Sequence, residues 1–503
     1  MNIKKIIAFL LSLTICAAVP FSSHTGYTGI EVQASDYSAD TFGMSSTNIS
    51  SNSSYNYGSV IKSYLYEDSE GTLTRVEYFP DDCITVEQYT ETNKLISSRS
   101  IDIELTRFGG FFCGNDYNYL VFGNPNTDEK SDIESIRVVK YTKNWERVSQ
   151  CSLYDINTYM PFSHGSLRMT ETDGKLYIHT CHTMYKSSDG FNHQANMTFV
   201  INEADMTASQ KSYEVSNIGT GYSSHSFNQF IDTDGEYIYR VDQGDAYPRG
   251  IAVTRSPLDN IKNVSYTIPL EFGGSIGNNS TNAGIGGMTL AGDNCIVGYI
   301  SVNQEGVTDT SIEDSANNLY IMTVKKDMSD SAIKQITNYT EDDGYYPNTP
   351  QVVKCGENKI LVMWEEFDES GLEYQRTYMM TVDSDGNTIT PPKETRARLS
   401  DCQPFLSSDG LVKWYVTNDG SPCMYFVNPD SLPDIEEPVS IGDVNGDGKI
   451  TAEDALAILQ SVTQDSSFNA SQIKSADIDG DGKVTTMDAL MVLQYVVGLR
   501  TQL

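Results

Sequence analysis

The sequence predicts a mainly β protein, a seven-bladed β-propeller followed by a small α-helical, EF-hand-like domain. Three observations carry that expectation. A strand–turn–strand unit is written seven times between Ser63 and Thr417. The sequence between these units has the β-branched and aromatic composition of strands, with hardly any helical periodicity. Beyond Ile441, a twelve-residue pattern of acids around a glycine occurs twice, each time followed by apolar residues at helical spacing.

From the start of the chain, residues 1–34 read as an export signal. Lys4 and Lys5 precede an apolar run from Ile6 to Val19, and polar residues lead to Val32-Gln33-Ala34, where cleavage before Ser35 is expected. The run is short for a membrane span, and no later segment is long and apolar enough. The mature protein is therefore expected to be secreted, extracellular and soluble, with no membrane partner. Residues 35–58 are rich in Ser, Asn and Tyr and read as a flexible leader.

Residues 59–428 hold the repeat. Its copies include SYLYEDSEGTLTRVEYF near Gly71, SLRMTETDGKLYIHT near Gly174, NQFIDTDGEYIYRVD near Gly235 and QPFLSSDGLVKWYVT near Gly410. A third strand follows each copy, as in LYIMTVKKDM from Leu319, and usually a fourth. Four antiparallel strands recurring at roughly 45 to 65 residues are the signature of propeller blades. The last copy lacks its fourth strand, so a strand near Val60, or one from the leader, is expected to close the ring. A β-sandwich pair or a β-helix is the alternative, although the unit is longer than one β-helical coil needs.

Residues 429–440 are proline-rich and acidic, a natural linker. The formal charge of −34 argues against nucleic acid as a partner. Once Cys16 leaves with the signal, eight cysteines remain, without metal-type spacing. They read as disulfides or as buried free thiols, with Cys402 and Cys423 the pair placed to bridge.

In a propeller, the residues leading into the innermost strands converge on one face. Here these are His164-Gly165-Ser166, His225 to Gln229, Gly286-Gly287, Asn348 to Gln351 and Cys402-Gln403-Pro404. The loops between second and third strands open on the same face and add His182, Asp242, Asp245 and Arg249. Outside the signal region, every histidine (164, 179, 182, 193 and 225) lies in the third and fourth copies. An imidazole with carboxylates and an arginine nearby suits a general base with a charge-neutralising group, or a metal site. The candidate catalytic set is His164, His225, Asp242, Asp245 and Arg249. The competing reading is that both histidines hydrogen-bond between blades and that DQGDAYPR is a structural turn. The middle region resembles propeller polysaccharide lyases in architecture only, and HSFNQF with DQGDAYPR resembles uncharacterised secreted bacterial propellers. Trp145, Trp364 and Trp414 would suit a sugar platform, but the last two sit in apolar strand runs and read as core. Glu365-Glu366 looks like a glycosidase carboxylate only superficially. No GxSxG elbow, HExxH or phosphate loop is present.

In the C-terminal pattern, Asp443, Asn445 and Asp447, then Asp477, Asp479 and Asp481, occupy loop positions one, three and five. Gly448 and Gly482 take the turn, and Lys449 and Lys483 offer backbone carbonyls. Thr451 and Thr485 stand at position nine, and Asp454 and Asp488 close each loop at position twelve. Oxygen sets of this kind suit two Ca²⁺ ions. Pro433 and Pro438 stand where a helix entering the first loop would run, so only exit helices are expected. Their apolar residues are Ala455, Leu456, Ile458, Leu459 and Val462, then Ala489, Leu490, Leu493 and Val497.

This paired unit, over 441–503, closely resembles the type I dockerin, the module that plugs enzymes into cohesin domains of cellulosome-type scaffolds. The resemblance implies a cohesin partner, touched by Ala452, Glu453, Leu459 and Gln460 in the first copy and by Thr486, Met487, Leu493 and Gln494 in the second. It also implies a secreted protein of plant-polysaccharide breakdown. The propeller is then a lyase or glycoside hydrolase, or a non-catalytic module that binds polysaccharide or protein.

Overall fold

The computed structural model describes residues 35–36, 48, 60–79, 83–90, 95–213, 228–245, 249–309, 316–348, 350–368, 373–395, 397–417, 423–432, 441–445, 449–464, 468, 470–480 and 482–500. The export-signal reading, most of the leader and residues 433–440 of the linker lie outside them.

The chain builds seven antiparallel sheets, the blades of a propeller. Blades 1 to 6 span 63–102, 107–154, 160–212, 230–271, 283–335 and 345–395, and blade 7 runs over 405–427. Second strands such as Asn294–Ser301 are buried throughout, because a neighbouring blade covers each face of the sheet. Outer strands such as Leu95–Asp102 meet solvent and are mostly polar.

The core is distributed as one apolar layer per blade interface. Val76 and Ile84 of blade 1 pack with Phe108 and Leu120 of blade 2, and Val121 of blade 2 with Ile178 and Phe199 of blade 3. Tyr177 and Val200 meet Ile231 and Ile238 of blade 4, whose Val241 and Val253 meet Ile285 and Val297 of blade 5. Ile296 and Ile321 pack on Val362 and Trp364 of blade 6. Leu361 and Met363 then join Trp414 of blade 7 and Leu65 of blade 1, which completes the circle. Trp364 and Trp414 are core, as their strand context predicts.

The fourth strand of blade 7 comes from the leader. Ser35–Asp36 pairs antiparallel with Cys423–Val427, Ser35 opposite Met424 and Asp36 opposite Cys423. Asn48 pins the same seam. Its N–H donates to the Thr417 carbonyl at 3.1 Å and its Nδ2 to Ser63 Oγ at 3.1 Å, while its Oδ1 accepts from Thr417 N at 2.5 Å. The eight cysteines are free thiols, so Cys402 and Cys423 do not bridge.

The C-terminal unit contains α1 (Ala452–Gln464), α2 (Ala470–Ala476) and α3 (Thr486–Val496). The exit helices are where the pattern puts them. The short helix α2, leading into the second loop, is a correction to the expectation of exit helices alone; seven residues are too few to display a helical period. The core is Val444, Ala455, Ile458, Ala476, Ile478, Ala489 and Val492. Leu456 and Leu490, read as part of the apolar stripe, are instead 53% and 46% exposed. No helix among the described residues is long and apolar enough to cross a membrane.

Candidate functional site

The inner edge of blade 3 is interrupted. Met160–Pro161 and Arg168–Thr172 both pair with Lys175–Lys186, and the residues between them loop out. Phe162 turns there at φ 57°, and its ring lies where a Cβ at Gly109 or Gly123 would come within 2.7 or 2.8 Å, so only glycine fits those positions of blade 2. His164 follows at φ 60° and is exposed, with Nδ1 2.9 Å from Ser163 Oγ and also in contact with Gln194. A left-handed backbone is uncommon for a side-chain-bearing residue, and two in three residues mark a locally constrained loop.

Most other residues at the blade entrances join neighbouring blades. Ser166 Oγ accepts from Gln229 N at 2.9 Å, and Asn228 Nδ2 donates to the Ile285 carbonyl at 3.0 Å. Gln351 Nε2 donates to the Ser400 carbonyl at 3.1 Å, and Asp401 Oδ2 accepts from Lys62 N at 2.9 Å. A Cβ on Gly286 would lie 2.0 Å from the Pro350 carbonyl oxygen, so blades 5 and 6 approach backbone to backbone.

The remaining candidates lie inside the protein. Asp242 Oδ1 is 2.8 Å from Nε2 of His179, and the other ring nitrogen of His179 is 2.9 Å from Thr198 Oγ1; all three residues are buried between blades 3 and 4. Arg240 donates to the same Thr198 hydroxyl at 3.2 Å, and burial pulls its guanidinium down to about 10 against the attraction of Asp242. His182 is buried with Nδ1 2.7 Å from Thr158 Oγ1; burial drives its pKa down to about 3, so the ring is neutral. Arg249 donates to the carbonyls of Gly273 at 2.8 Å, Asp245 at 3.2 Å and Ser280 at 3.0 Å, and also to that of Asn278. Thus Asp242 meets His179, and Arg249 meets the backbone of Asp245 and the following loop, while His164 stands apart on the surface. His225 lies outside the described residues. Glu365 and Glu366 point to opposite faces of their strand, Glu365 to Arg398 at 2.7 Å and Glu366 to Arg376 at 2.9 Å.

A cavity of about 300 Å³ lies among the inner strands of blades 1, 2, 3 and 7. Its wall includes Tyr64, Tyr66, Phe111, Phe112, Phe405 and Arg168, and Gln403 and Pro404 reach it from the blade 7 entrance. The Arg168 guanidinium lies 4.5 Å above the Phe230 ring, with Nη2 3.3 Å from Asn228 Oδ1. Sequence reading did not single out Arg168, although it is the only arginine in the copy SLRMTETDGKLYIHT.

In the C-terminal unit, the second loop folds its acids together. Carboxylate oxygens of Asp477, Asp479 and Asp488 lie within 4.8 Å of one another, a donor set that fits a hard cation. Asp488 also organises the loop, accepting from Ile478 N and Thr485 N, both at 2.8 Å, and Asp454 accepts from Val444 N at 2.9 Å and Thr451 N at 2.8 Å. Thr485 caps α3. Asp447 and Asp481 lie outside the described residues.

Residues 441–497 match the family model described as Dockerin type I domain. This segment is a type I dockerin. Dockerins of this type bind calcium, and their partner is a cohesin. On the dockerin, Ala452, Glu453, Gln460, Thr486, Met487 and Leu493 are exposed, and Leu459 and Gln494 are half-buried.

No curated protein matches the chain. Among solved structures, the chain is similar to Kuenenia stuttgartiensis hydrazine synthase at 10% identity and a TM-score of 0.44, covering 73% of this chain and 95% of that one. It is similar to an α-L-arabinofuranosidase from Fusarium graminearum at 12% identity and a TM-score of 0.38, covering 77% and 99%. A Synechocystis apocarotenoid oxygenase follows at 8% and 0.30, covering 67% of this chain and 65% of that one.

Proposed function

We propose that this chain is a secreted component of a cellulosome-type assembly. Its dockerin holds two Ca²⁺ ions and plugs into a scaffold cohesin, and its propeller binds plant cell-wall polysaccharide. Asp443, Asn445 and Asp454, with Asp477, Asp479 and Asp488, would hold the ions. When bound, each ion neutralises its acidic loop and ties the loop to its exit helix. The observation that supports a binding role is the make-up of the channel cavity. Among the described residues, five aromatic residues and one arginine line it, with no Asp, Glu or His. Aromatic faces suit sugar rings, whereas glycoside hydrolysis by the usual route needs two carboxylates about 5 to 9.5 Å apart.

A second reading, a lyase or glycoside hydrolase, is favoured by His164, whose exposed imidazole is oriented by Ser163 and Gln194. His225, Asp242, Asp245 and Arg249 complete that proposal. The test is incubation of the mature protein, in millimolar Ca²⁺, with pectins, xylans, mannans and glucans. Sedimentation with insoluble polymer is followed alongside reducing ends and absorbance near 235 nm. Co-sedimentation without product supports the binding module. Product that is lost in His164→Ala supports the enzyme, and neither signal refutes both.

A further inference from the structure

Among the described residues, Arg168 is the one cation in the wall of the channel cavity. Among the described residues no carboxylate reaches it in an ion pair. Its contacts are the 3.3 Å hydrogen bond to Asn228 and the face of Phe230, and its Nε is buried without an acceptor. Asp401 and Tyr64 act on it only through space. Asp401 accepts the Lys62 N–H at 2.9 Å, and burial raises its own carboxyl to about 6. Burial pulls the Arg168 guanidinium down to about 10, with Tyr64 and Asp401 opposing the shift. Elsewhere in the propeller, Arg75 pairs with Glu77 and with Glu87, Arg240 donates to three hydroxyls, and Arg249 to four carbonyls.

We propose that the channel cavity is a subsite for an acidic sugar unit of a polysaccharide, a uronic-acid residue whose carboxylate is held by Arg168 and whose ring lies against Tyr64, Phe111 and Phe405. The size agrees, since about 300 Å³ is at the lower end of small-ligand pockets. The chemistry agrees as well. A planar guanidinium takes a carboxylate through two parallel hydrogen bonds, and a neutral sugar offers nothing to match the charge. The chain as a whole is strongly acidic, but at physiological ionic strength the Debye length is about 8 Å, so distant acids are screened from an anion in the cavity.

This inference rests on the polysaccharide-binding reading and narrows its ligand. The probes are digalacturonic acid and the neutral disaccharides xylobiose and cellobiose, titrated calorimetrically into the full mature chain. Wild type is expected to bind digalacturonic acid at least tenfold more tightly than either neutral sugar. Arg168→Met should weaken the acidic ligand by about 30-fold or more, the usual cost of truncating one partner of a desolvated charge pair, and leave any neutral binding unchanged. Arg168→Lys, which keeps the charge but not the fork, should fall between. The preference of wild type for the acid tests the proposal even where Arg168→Met folds poorly. Equal affinity for acidic and neutral sugars, or full acidic affinity in a folded Arg168→Met protein, overturns the subsite while the binding reading stands. No affinity for any sugar or polymer overturns both.

Discussion

Removing the Asn48 amide should loosen the closure of the ring. Asn48 is only 6% exposed, and Thr417 and Ser63, which it joins, are both fully buried. In Asn48→Ala the Thr417 N–H loses its side-chain acceptor, at a cost of about 1–3 kcal/mol for a buried donor. Ser63 Oγ loses one donor, and the Tyr415 carbonyl loses a long 3.4 Å contact, together adding about 1 kcal/mol. The total is about 3 kcal/mol. With an unfolding entropy of roughly 2 cal/mol/K per residue over a domain of several hundred residues, that corresponds to a melting point lower by about 4 °C. The effect should also reach the channel, because the Asn48 carbonyl accepts the Asp401 N–H at 3.1 Å and Asp401 in turn holds Lys62 beside the cavity wall. Differential scanning calorimetry gives the melting shift. Hydrogen exchange should show faster opening in 400–427 and 60–67, with blades 4 and 5 unchanged. A melting point within half a degree of wild type, or faster exchange spread evenly over the ring, would refute the reasoning.

Three further outcomes are expected. Asp443→Ala combined with Asp477→Ala should abolish Ca²⁺-dependent capture by a cohesin, whose tight binding to the double mutant in excess chelator would sink the proposed calcium role. Glu203, raised from the usual 4.5 to about 7 by burial and by neighbouring Glu171, holds its proton more tightly folded than unfolded. Its contribution is therefore full below about pH 4.5 and is lost as pH rises through 7, so Glu203→Gln should add about 1 kcal/mol at pH 8.5, after allowance for screening at a half-exposed site, and nothing at pH 4.5; urea titrations at the two pH values check this. Arg249→Met takes the side-chain donor from the carbonyls of Gly273, Asn278 and Ser280, and one of two donors from that of Asp245, and should cost about 2–4 kcal/mol, with proteolysis first cutting the loop over 272–280.

Much was legible because it is local. The strand–turn–strand units mark themselves by alternation and by turn residues, and repetition announces a ring whose blades need one another for burial. The two acidic loops are contiguous, so the order of their oxygen-bearing residues is written in the chain from Asp443 to Asp454 and from Asp477 to Asp488. Less legible were contacts between distant segments. Nothing in SLRMTETDG shows that Arg168 lies over Phe230 with no ion-paired acid among the described residues, because that depends on which side chains the other blades bring to the channel. Asp242 reads with the histidines of the third and fourth copies, and in the fold it meets His179, a second-strand residue.

The sequence by itself determined the division into a β-repeat and a dockerin and the number of blades, since each is encoded within a span of a few dozen residues. Only the tertiary structure decided that the leader strand Ser35–Asp36 closes blade 7, that Asp242 and Arg249 are enclosed rather than presented, and that Arg168 stands in the wall of the channel cavity. Those outcomes depend on desolvation and pairing among residues far apart in the chain, and burial exists only once the ring has closed.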